Sequence, residues 1–404
     1  MGQAAEQTTP HREGERRAVD HRPGPARRRG EHRRLSSNVS RIALDARLVG
    51  YAAGIARYAI LLAQALADLD GPEELVALKA RRAWQARIGG PTTAQRNCLT
   101  PPHHRLERWV LPLEISVRAR GITLLHSLDH VAPAWGGWRS VVTLHDLAFV
   151  LYPETHSPKS RTYYAATAES VRRAQRVIAV SQRTASDAVR LLGVDPVRVR
   201  VVPEAAGPAF RPRPHDRLLE LAKQLGLAEG QPYVLFVGTL EPRKNVPLLV
   251  EAFARLRKRV NAQLVVVGAR GWQDETIMEA RVQEGVRFVG WLGEEDLAVL
   301  YSHAGVLALP SLYEGFGLPV LEAMACGAPV VCSNAGPLPE VAGDAAVLLP
   351  PTDAATWADT LQEVLTNPSR AAELRRRGFL RAAAFSWRRT AELTRDVYRE
   401  ALLA

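Results

Sequence analysis

The sequence predicts an α/β fold made of two doubly wound, parallel-sheet domains that face a cleft. Three observations point there. Short apolar runs of strand length alternate with helical segments along most of the 404 residues. These runs are apolar throughout rather than at every second position, as expected of strands covered on both faces. The alternation also breaks once, over the Pro- and charge-rich residues 203–214, and starts afresh at Tyr233. A chain of this length ordinarily makes two domains.

Residues 1–40 are Arg-rich, interrupted by acidic residues, Pro and Gly, and nearly free of large apolar groups. Such a segment cannot build a core, so a disordered basic tail is expected. The first domain, 41–205, is expected to hold strands at 42–44, 75–78, 122–125, 141–144, 177–180 and 199–202. Its helices fall at 55–69, 163–174 and 184–192. Residues 206–230 read as a linker. The second domain, 231–384, begins with a strand at 233–237 and a helix at 246–260. Further strands follow at 264–267, 286–289, 306–309, 330–332 and 347–349. Residues 385–404 form a last helix.

Composition narrows the function classes. No apolar run approaches the ~20 residues needed to span a bilayer. Cys98, Cys326 and Cys332 lack metal-ligand spacing, and no secretory apolar segment precedes the first strand, so a cytoplasmic location without disulfides is expected. The net charge of +11 favours anionic ligands. A nucleic-acid partner is not expected, because no basic helix with interleaved aromatics occurs. The scattered histidines give no metal-like cluster.

The segment Glu314-Gly315-Phe316-Gly317-Leu318-Pro319-Val320-Leu321-Glu322 places two carboxylates across a loop-to-helix junction. Pro319 suits the first helical turn, and Gly327 suits the end. A helix N-terminus can receive a phosphate. The carboxylates then flank that anion site, roughly 10 Å apart by helical rise. This span fits a ligand with a hydroxyl-rich group on each side of a diphosphate; two solvated glutamates on a surface helix fit the spacing equally well. A second loop, Gly238-Thr239-Leu240-Glu241-Pro242-Arg243-Lys244-Asn245, puts two cations at a helix start, where they are disfavoured unless an anion is present. His145 and Asp146 close the strand at 141–144 and point from its carboxyl end. Residues 50–54 form a glycine-containing turn before Ile55-Ala56-Arg57-Tyr58.

Together these segments resemble the retaining GT-B glycosyltransferases of family 4, over roughly residues 41–400. The resemblance implies catalytic roles for His145, Arg243, Lys244 and Glu314: Glu314 on the transferred sugar's hydroxyls, Arg243 and Lys244 on the diphosphate, and His145 at the donor hexose. It implies donor binding by Gly238, Thr239, Gly315, Phe316, Gly317, Leu318 and Glu322, with Glu322 on the ribose. Gly54, Arg57 and Asp146 fall on the acceptor side. Thr239 departs from the Arg that many relatives carry there. The donor implied is a nucleoside diphosphate sugar, GDP-mannose first because the basic loop is similar to that of mannosyltransferases. No metal or other cofactor is implied. The acceptor is a glycan or lipid-linked hydroxyl, which leaves peripheral membrane association open. The last helix should cross back onto the first domain. Alternatives are a GT-B phosphorylase, a sugar-nucleotide epimerase, or a non-catalytic sugar- or nucleic-acid-binding protein.

Overall fold

The computed structural model describes residues 39–51, 54–271 and 283–404. The tail read at 1–40 therefore lies outside the described residues except for Val39 and Ser40, as do Ala52 and Ala53 of the glycine turn.

Two wholly parallel sheets form the frame. The first holds β1 (Arg41–Asp45), β2 (Glu74–Lys79), β3 (Ala94–Asn97), β4 (Leu124–Ser127), β5 (Arg139–Leu144), β6 (Arg176–Ala179) and β7 (Val199–Val201), in the order β3-β2-β1-β4-β5-β6-β7. The second holds β8 (Tyr233–Val237), β9 (Gln263–Val267), β10 (Val286–Gly290), β11 (Val306–Leu309), β12 (Val330–Ser333) and β13 (Val347–Leu349), in the order β10-β9-β8-β11-β12-β13. Both orders reverse direction beside the first strand of the sheet, between β1 and β4 and between β8 and β11. That is the Rossmann-like arrangement, in which ligands sit at the carboxyl ends of the strands on either side of the reversal. Strands β8, β9, β11 and β12 are buried along their full length, consistent with helices on both faces.

Helix α1 (Gly54–Asp68) follows β1 and buries Tyr58, Leu62 and Leu66 against the sheet. The C-terminal helix Trp387–Leu403 packs on α1; the Tyr398 hydroxyl lies 2.7 Å from His126 Nδ1, and Trp387 sits 6.0 Å from the Tyr58 ring. Burial drives the His126 imidazole down to about 3, so this packing contact is made by a neutral ring.

Three helices depart from the sequence reading. Residues 206–230 contain a helix, His215–Leu225, ended by Gly226 at φ 66°. Leu221 is buried and Leu218 and Leu225 pack partly buried against the second domain's core. The helix expected at 163–174 is divided into Pro158–Tyr164 and Thr167–Arg173. Helix α2 (Glu107–Arg118) was not anticipated, because Pro112 inside it interrupts the helical pattern.

Candidate active site

The basic loop leaves the carboxyl end of β8 and makes one tight 3-10 turn, Pro242–Lys244. Asn245 follows in the left-handed region at φ 56°, and its side-chain amide donates to the carbonyls of Pro310 (3.2 Å) and Pro351 (2.9 Å). This turn swings both cations toward the loop after β11. Lys244 Nζ lies 2.7 Å from each carboxylate oxygen of Glu314, and Ser311 Oγ donates to the same group at 2.7 Å. Arg243 donates to the Tyr313 carbonyl (3.0 Å) and to Glu314 (3.2 Å), and pairs with Glu241 at 2.7 Å. Burial alone would raise the Glu314 carboxyl, but Lys244 and Arg243 outweigh it and hold the group below its ordinary value. The anion that two cations at a helix start require is thus supplied, in this structure, by the chain itself.

Gly317, at φ 108°, precedes the helix Leu318–Cys326, with Pro319 in its first turn. A side chain at Gly317 would place its Cβ 2.7 Å from Leu338. Glu322 points inward and is 2 % exposed. It accepts from the Tyr301 hydroxyl at 3.1 Å and is ion-paired with Arg57 of α1. Arg57 also meets Glu294 at 2.8 Å. Burial is the stronger influence here: it lifts the Glu322 carboxyl to about 7 despite Arg57 and Tyr301. Arg57, which the resemblance assigns to the acceptor side, therefore lies on the second domain's Glu322.

His145 stands at the end of β5. Its Nε2 faces the Leu128 carbonyl at 2.9 Å and its Nδ1 faces Glu204 at 3.2 Å, with Tyr58 edge-on at 4.7 Å. Both ring nitrogens confront acceptors, which favours the doubly protonated ring. Burial opposes that charge, but Glu204 prevails and the imidazole is held above its ordinary value. Asp146 caps the next turn through the Ala148 N–H at 2.9 Å. Burial acts to raise its carboxyl, yet Arg243 and His130 bring it below the ordinary range.

The two sheet ends meet at Gly315. A Cβ there would lie 2.0 Å from the His145 carbonyl oxygen, so only glycine fits this approach. The Gly315 carbonyl accepts from Ser181 Oγ (2.9 Å) and Thr184 Oγ1 (3.2 Å). Beside it the Glu340 carboxylate accepts the N–H of Gln182 at 2.9 Å, the first residue of the helix Gln182–Leu192. An acid from one sheet thereby caps a helix of the other.

Other expected positions fall differently. The Phe316 ring lies in the second domain's core, edge-on to Phe385, so it offers a ligand only its backbone. Thr239 is exposed at the cleft mouth, and a Cβ on Gly238 would lie 3.6 Å from the Lys244 chain. Gly54 opens α1, with open space where a Cβ would be. Among the described residues no group of three or more His, Cys, Asp or Glu is arranged for a metal. Sequence reasoning gave no role to Glu241, Ser311, Tyr301, Glu204 or Glu294. The Ser311-x-x-Glu314 and Glu241-x-Arg243 spacings are local signals for two of them; Tyr301, Glu204 and Glu294 meet their partners only through the fold.

Comparison with known proteins agrees with this layout. Residues 52–206 match the family described as Glycosyltransferase Family 4, and residues 219–381 match Glycosyl transferases group 1. The O-antigen chain mannosyltransferase B of Escherichia coli is 36 % identical over 269 residues, covering 65 % of this chain and 70 % of that protein. The D-inositol 3-phosphate glycosyltransferase of Saccharomonospora viridis is 32 % identical over 352 residues, 78 % of this chain and 81 % of the relative. The solved sucrose-phosphate synthase of Thermosynechococcus elongatus superposes with a TM-score of 0.70 at 25 % identity, covering 89 % of this chain and 98 % of its own. With both halves matched and the Rossmann-like sheets paired across a cleft, the chain belongs to the group 1, family 4 glycosyltransferases and has the GT-B fold.

Proposed function

We propose that this glycosyltransferase moves mannose from GDP-mannose to a hydroxyl of a growing glycan, with retention at the sugar carbon, at the cytoplasmic side of a membrane. The second domain takes the donor and the first takes the acceptor. The observation that carries this reading is the buried cluster of Lys244, Arg243 and Glu314 at the N-terminus of the helix Leu318–Cys326. A diphosphate entering there exchanges places with Glu314 as partner of the two cations, and the first-turn N–H groups of the helix add a positive end. Glu314, released from Lys244, is then free to accept from the sugar's hydroxyls, and Glu322 from the ribose.

In the transfer the bond from the sugar carbon to the phosphate oxygen breaks while the bond to the acceptor oxygen forms on the same face. The acceptor proton passes to the departing phosphate. Charge builds on that phosphate, where Arg243 and Lys244 already stand, so stabilisation costs no reorganisation at the moment of reaction. The mannosyltransferase relative supports the sugar. The inositol-phosphate relative, matched over more of the chain, supports a second reading in which the acceptor is a phosphorylated polyol.

A thermal-shift panel of GDP, UDP, ADP and dTDP, with their sugars, tests the donor. A nucleotide that binds only the folded chain raises its melting temperature by mass action. Response to GDP and GDP-mannose alone is expected; response to UDP alone overturns the mannose assignment. Release of GDP that needs a glycan acceptor separates transfer from phosphorolysis and from epimerisation.

A further inference from the structure

Glu204 lies just beyond β7 and is 4 % exposed. The Thr390 hydroxyl of the C-terminal helix donates to the Pro203 carbonyl at 2.7 Å and fixes the backbone beside it. The carboxylate faces His145 Nδ1 at 3.2 Å, and that ring is its one hydrogen-bond partner among the described residues. No Arg or Lys among them pairs with it, and a buried carboxylate without a cation is costly.

The imidazole is in turn held from three strand ends. It follows β5, its Nε2 faces the Leu128 carbonyl after β4 at 2.9 Å, and its Nδ1 reaches Glu204 after β7. A doubly protonated ring donates both bonds; a neutral one has a single N–H, so either Leu128 or Glu204 would meet a lone pair. The backbone of His145 is also where the second domain arrives. Thr184 Oγ1 donates to its carbonyl at 3.4 Å, and a Cβ on Gly315 would lie 2.0 Å from that oxygen. The loop bearing Glu314 therefore rests on His145.

Other titratable groups surround the ring. Asp129 and His130 approach from the loop after β4, the His130 ring at 5.8 Å. Asp129 is engaged by His103 and His130, and Asp146 is balanced by Arg243. His126 of β4 is neutral, and Tyr58 of α1 stands edge-on at 4.7 Å. Glu204 is thus the acid bonded to His145.

We infer that Glu204 is a positioning residue for the transfer: it holds His145 as a cation that ties the ends of β4, β5 and β7 together beside the Glu314 loop. It acts through the ring. Loss of the ring's charge as pH rises releases one of the two bonds and lets that loop shift, so transfer has an alkaline limb set by His145. The inference rests on the transferase reading for its rate alone; the charge of the ring is a separate observable.

The test is a proton NMR titration of the His145 ring, assigned by its loss in His145→Phe, beside the pH profile of kcat with GDP-mannose. Glu204→Gln keeps an acceptor of the same shape for Nδ1–H and removes only the charge. Burial lowers the imidazole and Glu204 is the largest opposing influence, so the midpoint should fall from above its ordinary value to that value or below. The alkaline limb of kcat should move down with it, and each pH unit of that move lowers the rate about 10-fold above both midpoints. Glu204→Asp restores the charge and should bring ring and limb back up. A merely structural hydrogen bond survives in Glu204→Gln, so unchanged midpoints there overturn the proposal. A ring midpoint that falls while the limb stays overturns it too, as does an Asp variant that titrates like the Gln variant. Glu204 also opposes the charge of Glu322, whose carboxyl lies near 7, so Glu204→Gln lowers that group as well; the ring signal reports His145 alone. A parent without transfer fails the transferase reading, and the ring titration of Glu204→Gln still decides whether Glu204 holds the charge of His145.

Discussion

Glu314 and Glu322 stand eight positions apart, and both are buried, but the groups that neutralise them come from different places. Glu314 is held by Lys244, Arg243 and Ser311, all of the second domain. Glu322 meets a cation only across the cleft, from Arg57 of α1, among the described residues. One carboxyl stays below its ordinary value and the other is lifted to about 7. The charge on Glu314 is thus a property of one domain, whereas the charge on Glu322 reports whether the two domains are together.

The largest effect is expected from breaking the first half of this contrast. Glu314→Gln leaves Lys244, itself 7 % exposed, facing a neutral amide. Removing one partner of a buried pair costs about 3–5 kcal/mol. Transfer should fall on the order of 100-fold or more if Glu314 holds the sugar's hydroxyls as proposed above. Chemical denaturation and a steady-state transfer assay read both. A variant as stable as its parent would mean that Lys244 has another counter-ion.

Glu322 gives the next largest effect, and its sign follows from linkage. Its carboxyl titrates near 7 in the folded chain and near the ordinary Glu value of about 4.3 when unfolded. Between those values the folded chain binds more protons, so its stability decreases as pH rises through the window. The contribution is complete below about 4.3 and gone above about 7, and amounts to something on the order of 3 kcal/mol. Glu322→Gln should flatten that slope, and Arg57→Ala should move its midpoint upward. Denaturation midpoints collected from about pH 4, just below the ordinary Glu value, to about pH 8 would contradict the cross-domain origin if Arg57→Ala left the midpoint in place.

Gly315→Ala tests closure without touching either carboxyl. Its Cβ would stand 2.0 Å from the His145 carbonyl oxygen, so the two loops must part. A displacement of about 1 Å at a reacting centre can cost ~100-fold in rate. The Lys244–Glu314 cluster should survive, and the Glu322 midpoint should rise as Arg57 withdraws. If Glu322 titrates as before, closure and its charge are independent.

The part of this site that could be read from the sequence is the part built from neighbours in the chain. The helix start after Gly317, the basic turn at 242–244 and the His145-Asp146 strand end each rest on local spacing, and the second domain's strands announce themselves because they are apolar throughout. The pairing of Arg57 with Glu322 joins residues 265 positions apart. Nothing near Arg57 in sequence says that α1 will face an acid of the other sheet. Tyr301 and Glu204 are similar cases: one lies on the helix Glu294–His303 and the other just beyond β7, and only folding brings them to their partners. The unexpected helix α2 was hidden for a different reason, because Pro112 inside it reads as a helix breaker.

The smallest effect separates the two carboxyls most finely. The Tyr301 hydroxyl donates to Glu322 at 3.1 Å, and both groups are buried. A hydrogen bond to a neutral acceptor contributes about 1 kcal/mol and one to a charged acceptor about 1.5–3. Because Glu322 changes charge near 7, Tyr301→Phe should cost about 1 kcal/mol well below that pH and more above it. Ser311→Ala makes the matched deletion beside Glu314, which stays ionised through the same range, so its cost should be flat with pH. Parallel pH profiles for the two variants would show that the carboxyls share one environment after all; a slope in Tyr301→Phe alone places the titrating group on the side of the cleft that Arg57 reaches across.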